Sequence, residues 1–341
     1  MHCFIPRIIF LAAAILGTVM SGCSSEQARD HIVQGWTMGT YYRVTMAGVT
    51  SSQAKQAEKK ILQVLDTINK SMSVFDPQSE VSRFNQLEPG RPFCPSPDFA
   101  RTMSMSLKVY EMTGGVFDPT LGSVIDLWGF GPEPSDMTVP DQALINEAMA
   151  GVGLDKIIVD EKGCMSRTHP DTKLNLSGIA KGYAVDSIAA ALEMHNIHSF
   201  LVDIGGDLYA GDPRPDGSAW RVGINVPTPQ AGLEDIMEIL EISNAAVATS
   251  GDYRNYITID GQRYSHIIDP ATGYPVQRGI VSATVKAGSC ALADALATAM
   301  LIMDKDDSLE LAEESGLFQV QLIVMDESQE MSVYASPGFQ N

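Results

Sequence analysis

From residue 140 onward, helical and strand patterns alternate without the regular spacing of βαβ units, and hairpin signals interrupt them. Asp260-Gly261, between strand-like segments at 253–259 and 262–268, is the strongest of these signals. A chain patterned this way does not wind a regular parallel sheet, and the fold class it implies is α+β. Upstream, residues 33–46 alternate as a strand broken at Met38-Gly39-Thr40. Ser51 or Ser52 can cap a helix whose apolar positions Ala57, Ile61, Leu65, Ile68 and Met72 keep helical spacing. Residues 73–91 read as a loop-rich excursion, and 98–112 as a helix stopped by Thr113-Gly114-Gly115. A strand at 173–176 is expected to lead through Ser177-Gly178 into a helix from about 183 to 195.

The 341 residues suffice for one large domain, and 45 % hydrophobic against 19 % charged content indicates a substantial core. A net charge of −19 excludes nucleic acid as a partner, because phosphate backbones are bound by basic surfaces. Arg7, an apolar run over 8–19 and Met20-Ser21-Gly22-Cys23 make residues 1–22 read as a cleaved signal too short to span a bilayer. Met20-Ser21-Gly22-Cys23 resembles a bacterial lipobox. That resemblance implies a lipidated Cys23, a tether over 23–32, a single domain over 33–341, and a periplasmic, lipid-anchored location. Of five cysteines, Cys94, Cys164 and Cys290 then remain, which allows at most one disulfide. Cys290, inside an alanine-rich segment, reads as a small buried hydrophobe rather than a nucleophile.

The chemistry concentrates between 245 and 298. Asp294 and Thr298 are four apart in a helical pattern, so both oxygens lie on one face, as half of a site for a hard cation such as Mg²⁺. Ser250-Gly251-Asp252 ends a strand, and Ser265-His266 runs into the turn signal Asp269-Pro270. Singly, each has an ordinary reading: Asp294 as a solvated helix carboxylate, His266 as a structural histidine. The passage through Ser177-Gly178-Ile179-Ala180-Lys181-Gly182 can aim backbone N–H groups at an anion, but it is not a Walker A loop.

Several motifs now fall in one order along 33–325. They are Met38-Gly39-Thr40, Ser79-Glu80 through Asn85, Phe117-Asp118-Pro119-Thr120, and Leu127-Trp128-Gly129-Phe130. Leu176 through Asp186, Asp203-Ile204-Gly205-Gly206-Asp207, Thr249 through Tyr253, Ser265 through Pro270, and Ala293 through Thr298 complete them. In this order they resemble the FAD:protein FMN transferase family, the ApbE-type periplasmic lipoproteins. The resemblance implies a T-fold-like α+β architecture, mixed sheets packed with helices and an active site in a cleft between two subdomains. It implies a Mg²⁺-dependent reaction in which FMN is joined through its phosphate to a threonine or serine of an acceptor protein and AMP leaves. Acceptors would include subunits of sodium-pumping quinone reductases and related electron-transfer complexes. Carried over by position, Ala180 (through its carbonyl), Asp294 and Thr298 would hold the metal. Met38, Phe75, Trp128, Gly129, Phe130, Asn175, Lys181 and Ile267 would line the FAD site. His266 would be the base, with Asp269 orienting it or its loop. Asn175 stands where family members commonly carry Asp, which weakens the nucleotide contact expected there. Two other activities compete: an FAD pyrophosphatase releasing FMN and AMP, and an FAD-binding lipoprotein without chemistry.

Overall fold

The break at Met38-Gly39 is a two-residue hairpin turn with φ of 48° and 73°, both left-handed, as the twist of a tight hairpin demands. The computed structural model describes residues 28–132, 138–228, 230–232, 234–252, 255–277, 279–326 and 328–340. The expected signal and Cys23 therefore lie outside the described residues. The turn joins β1 (Arg29–Thr37) to β2 (Thr40–Val49). Residues 29–32, expected in the tether, instead belong to a strand, because His31 and Ile32 pair with Met46 and Thr45.

The chain continues through α1 (Ser51–Met72), α2 (Glu80–Gln86), α3 (Pro97–Met112), α4 (Gly122–Leu127) and α5 (Gln142–Met149). A 3₁₀ turn, β3 (Ile157–Val159), β4 (Met165–Arg167), α6 (Ala180–Met194), β5 (Phe200–Ile204) and β6 (Asp207–Ala210) follow. Then come β7 (Trp220–Asn225), β8 (Ile236–Ile242), β9 (Ala245–Gly251), β10 (Tyr256–Ile259), β11 (Gln262–Ser265) and β12 (Ile280–Ala287). The described chain closes with α7 (Cys290–Met300), α8 (Lys305–Ser315), β13 (Phe318–Met325) and β14 (Met331–Ala335).

One eight-stranded sheet, ordered β1-β2-β5-β6-β9-β12-β13-β14, organises these elements, and its pairings are antiparallel. One face carries the main core, where Val44, Val202, Ala248 and Val285 meet Ile61 of α1, Ile188 of α6 and Leu296 of α7. The β7–β8 ribbon covers part of the other face through Trp220, Val222, Leu240 and Val247. A third, smaller core gathers Leu121, Val124, Trp128, Ile145, Ala148 and Ile268 around α4 and α5. Cys94 and Cys164 form a disulfide across 70 residues. By chain entropy alone, closing a loop of that length stabilises the fold by about 4 kcal/mol.

Two sequence expectations are corrected. Residues 173–176 are not a strand. The amide of Asn85 takes both Leu174 main-chain groups, at 2.7 and 2.8 Å, and Asn175 N–H donates to the Pro119 carbonyl. The excursion at 73–91 contains α2, capped by Ser79 and tied by Glu80, which accepts from Ser71 Oγ and from Ser96 N–H and Oγ.

Candidate active site

Hairpin register brings the sequence-predicted residues to one end of the large sheet. The turn Gly205-Gly206, with φ of 64° and 97°, joins β5 to β6 and docks on the Met38-Gly39 hairpin through Gly205 N–H to the Tyr41 carbonyl. A Cβ at Gly205 would lie 2.7 Å from Thr40 Cγ2, so this approach needs glycine. Ser250 and Gly251 extend β9 past the start of β6 at the same end.

Helices α6 and α7 deliver the polar groups. They cross so closely at Gly182 that a Cβ there would lie 2.3 Å from the Cys290 carbonyl oxygen. Asp186 fixes this crossing from α6, accepting the first N–H groups of α7, those of Cys290 at 2.7 Å and Ala291 at 2.9 Å. Burial pushes the Asp186 carboxyl up to about 6, against the pull of those two bonds.

The N-terminus of α6 has no side-chain cap of its own. Asp294, only 2 % exposed, fills that role by accepting the Gly182 N–H at 2.9 Å, a favourable place for a carboxylate. The expected anion-binding N–H is therefore committed to a carboxylate of α7. Lys181 places its ammonium 2.5 Å from Asp207 and 3.5 Å from Asp294. Burial alone would favour discharging this lysine, but the two carboxylates outweigh it and raise its pKa. Burial presses the Asp207 carboxyl upward and Asp294 adds to this, while Lys181 holds it down. The two carboxylates keep the lysine charged beside Asp207. Thr298, one turn beyond Asp294, puts its hydroxyl 3.3 Å from Ser250 Oγ and against Gly178.

His266 stands opposite, on the side of the smaller core. Its Nδ1 lies 2.9 Å from the Asn255 carbonyl, which can only accept, so Nδ1 carries the proton and Nε2 does not. Among the described residues Nε2 has no partner. Burial lowers the histidine's pKa, the Asn255 bond opposes this, and Lys181 lowers it further. Phe130 packs edge-on against the imidazole at 6.3 Å. Asp252, at the end of β9, has its carboxyl pushed up to about 6 by burial.

The remaining expected residues divide. Met38 is half-buried in its left-handed turn, and Thr37 beside it accepts from Asn69 near the end of α1. Phe75, just beyond that helix, leaves its ring 67 % exposed. Gly129 turns the chain after α4 with φ of 81° and so aims Phe130. Ala180 opens α6. Asn175 closes a local turn by accepting the Ser177 N–H at 3.0 Å, a task either Asn or Asp performs.

Two assignments change. Trp128 is 1 % exposed, its indole N–H donates to the Gly273 carbonyl at 2.8 Å, and Tyr264 and Tyr274 pack on its ring. It is a strut for the 269–276 loop, not an open platform for a flavin. Ile267 is buried in the main core, its N–H donating to Ser265 Oγ and its carbonyl accepting from Val276. Asp269 accepts the Ala271 N–H at 2.8 Å and so shapes the loop after His266, the second of the two roles expected for it, while the Asn255 carbonyl holds the imidazole.

The arrangement sets an anionic cluster of Asp207, Asp294 and Lys181 near a neutral imidazole, close enough for the lysine's charge to act on it. The family model described as the ApbE family matches residues 38–322, the span that contains both sides. The chain belongs to the ApbE family. An FAD:protein FMN transferase of Haemophilus influenzae is 35 % identical over 320 residues, covering 92 % of each chain. Its counterpart in Escherichia coli strain K12 is 31 % identical, over 98 % of this chain and 96 % of that one. The flavin transferase ApbE of Vibrio cholerae superposes with a TM-score of 0.82 at 35 % identity, covering 92 % and 98 % of the two chains. The apo flavinyl transferase ApbE of Pseudomonas stutzeri gives 0.81 at 31 %, covering 92 % and 96 %. The α+β fold is thus the ApbE fold.

Sequence reasoning missed Asp207 and Asp186 as parts of the ApbE-family site. Both lie inside the motifs that carried the resemblance, but their partners, Lys181 and the start of α7, are 26 and 104 residues away. The available signal was that both carboxylates stand inside the motifs that carried the resemblance.

Proposed function

We propose that this chain transfers the FMN part of FAD, with Mg²⁺ bound, onto a threonine or serine hydroxyl of an acceptor protein, releasing AMP. The observation that carries the reading is the neutral His266, tied at Nδ1 to the Asn255 carbonyl and near enough to Lys181 of the Lys181–Asp207–Asp294 cluster for that charge to lower its pKa. Among the described residues no three His, Cys, Asp or Glu side chains converge as a metal cluster. A cation here would instead rely on the Asp294 carboxylate, the Thr298 hydroxyl and the Ala180 carbonyl. That all-oxygen set suits Mg²⁺, and two carboxylates against one ammonium leave the pocket one negative charge in excess. The bound ion supplies charge neutralisation at the phosphate oxygens. His266 Nε2 takes the proton of the acceptor hydroxyl, Lys181 faces the nucleotide's phosphate or ribose, and Met38, Gly129, Phe130 and the exposed ring of Phe75 flank the flavin.

The acceptors implied by the resemblance are subunits of sodium-pumping quinone reductases and related complexes. Incubation of the chain from residue 24 onward with FAD, Mg²⁺ and such a subunit tests the reading. In-gel flavin fluorescence on the acceptor is expected. FMN and AMP without labelling would mark a pyrophosphatase, and unchanged FAD a binding protein, and either outcome rejects transfer.

We also infer that Cys23 is lipidated and that the domain works on the periplasmic side of a bacterial membrane. The Met20-Ser21-Gly22-Cys23 sequence supports this, as does the Cys94–Cys164 disulfide, a bond at home in oxidising compartments. No described helix is long and apolar enough to cross a membrane. Palmitate label is expected on the wild type and absent from Cys23→Ala; equal labelling rejects the anchor.

A further inference from the structure

We propose that Asp207 is a positioning residue that keeps the Lys181 ammonium off Asp294, and so keeps Asp294 available to a divalent cation. The inference rests on the metal-dependent reading above and names a residue which that reading does not use.

Three observations converge. First, Lys181 is shared unequally, 2.5 Å from Asp207 Oδ2 against 3.5 Å from Asp294 Oδ1. Second, the two oxygens of Asp294 have different duties. Oδ2 accepts the Gly182 N–H at 2.9 Å, and among the described residues Oδ1 has the more distant ammonium alone, so Oδ1 is the oxygen open to a cation. Third, Asp207 is 2 % exposed and stands at the first position of β6, directly after the Gly205-Gly206 turn. The sheet holds its backbone, and the carboxylate holds the lysine in turn.

Electrostatics then assigns the consequence. With both carboxylates present the cluster has a net charge of −1, which attracts a cation. An asparagine at 207 cannot neutralise the ammonium, whose nearest carboxylate becomes Asp294. The lysine closes the remaining distance, the Asp294–Lys181 pair sums to zero, and a metal must displace a half-buried ammonium to bind. Partners of this kind, one step removed from the ligands, typically change metal affinity by about 10–100-fold when removed.

The test titrates Mn²⁺ into the chain from residue 24 onward, reading free Mn²⁺ by electron paramagnetic resonance, with thermal unfolding as a check on folding. Asp207→Asn is expected to weaken Mn²⁺ binding by about 10–100-fold. The double variant Asp207→Asn/Lys181→Gln again has a net charge of −1 and is expected to recover most of that loss. A merely structural role for Asp207 would not be repaired by removing the charge of a second side chain of the cluster. Lys181→Gln alone, at −2, is expected to bind Mn²⁺ more tightly, which keeps the inference testable even where Asp207→Asn fails to fold. Unchanged affinity in Asp207→Asn, a double variant as weak as the single, or weaker binding in Lys181→Gln each overturns the inference. A wild type that binds no Mn²⁺ overturns the metal-dependent reading and this inference together. A wild type that binds Mn²⁺ but labels no acceptor overturns the transfer reading alone.

Discussion

Replacing His266 by alanine is expected to lower flavin transfer by about 10²–10⁴-fold at saturating FAD and Mg²⁺, the contribution typical of a positioned general base. A threonine hydroxyl is a poor nucleophile until its proton is taken. His266 is placed to take it because the Asn255 carbonyl fixes the tautomer with Nε2 unprotonated, and Phe130 holds the ring. The imidazole bonds to Asn255 and packs on Phe130, and the metal-site candidates Asp294 and Thr298 lie on α7, so metal affinity should change little and FAD affinity only as far as Phe130 shifts. The pH profile gives an independent check. Burial and the Lys181 charge lower the histidine's pKa, so the active neutral form persists below the usual histidine range. Activity is therefore expected to hold near neutrality and to fall as pH drops through that lowered value. A His266→Ala enzyme that loses FAD affinity but turns over normally once saturated would make His266 a binding residue. The half-buried Asp252, with its carboxyl at about 6, would then be the next base to remove.

What the sequence made legible was local. The apolar positions Ala57, Ile61, Leu65, Ile68 and Met72 are all buried in α1, and the helix expected over 98–112 is α3. Asp294 and Thr298 do share a helix, because alanine-rich α7 packs tightly on α6 and β9. What stayed hidden was decided by partners distant in sequence. Residues 173–176 look like a strand until Asn85, 89 residues away, takes the Leu174 backbone. Trp128 looks like a flavin platform until Gly273, 145 residues away, accepts its indole N–H. Lys181 reads as a phosphate or ribose contact, but the carboxylates that hold its ammonium, Asp207 and Asp294, are 26 and 113 residues away. Residue type announces a capacity for contact, and the fold decides who receives it. The resemblance located the right motifs because the motif order carries the fold, while roles inside each motif depended on contacts that no single motif contains.

Removing the Asp294 carboxylate is expected to be the most damaging change to the site. A metal ion at developing phosphate charge supplies several kcal/mol of transition-state stabilisation, and at about 1.4 kcal/mol per factor of ten its loss costs three orders of magnitude or more in rate. Asp294 also accepts the Gly182 N–H at the uncapped start of α6, and leaving that donor unpaired in the interior costs about 1–3 kcal/mol of stability. Asp294→Ala therefore mixes two effects, and Asp294→Asn separates them. The asparagine keeps an oxygen for Gly182 but removes the charge, and with it the excess negative charge that attracts a cation past Lys181. Asp294→Asn should unfold close to the wild-type temperature and bind FAD with similar affinity, because the residues flanking the flavin lie on other elements. Its Mg²⁺-dependent transfer should fall to background and not return as Mg²⁺ is raised. Asp294→Ala should show the same loss of turnover with a lower unfolding temperature. Undiminished Mg²⁺-dependent transfer in Asp294→Asn would remove Asp294 from the metal site. The carboxylate would then be the cap of α6 and the second anchor of Lys181, and the cation would have to be sought among other oxygens at this end of the sheet.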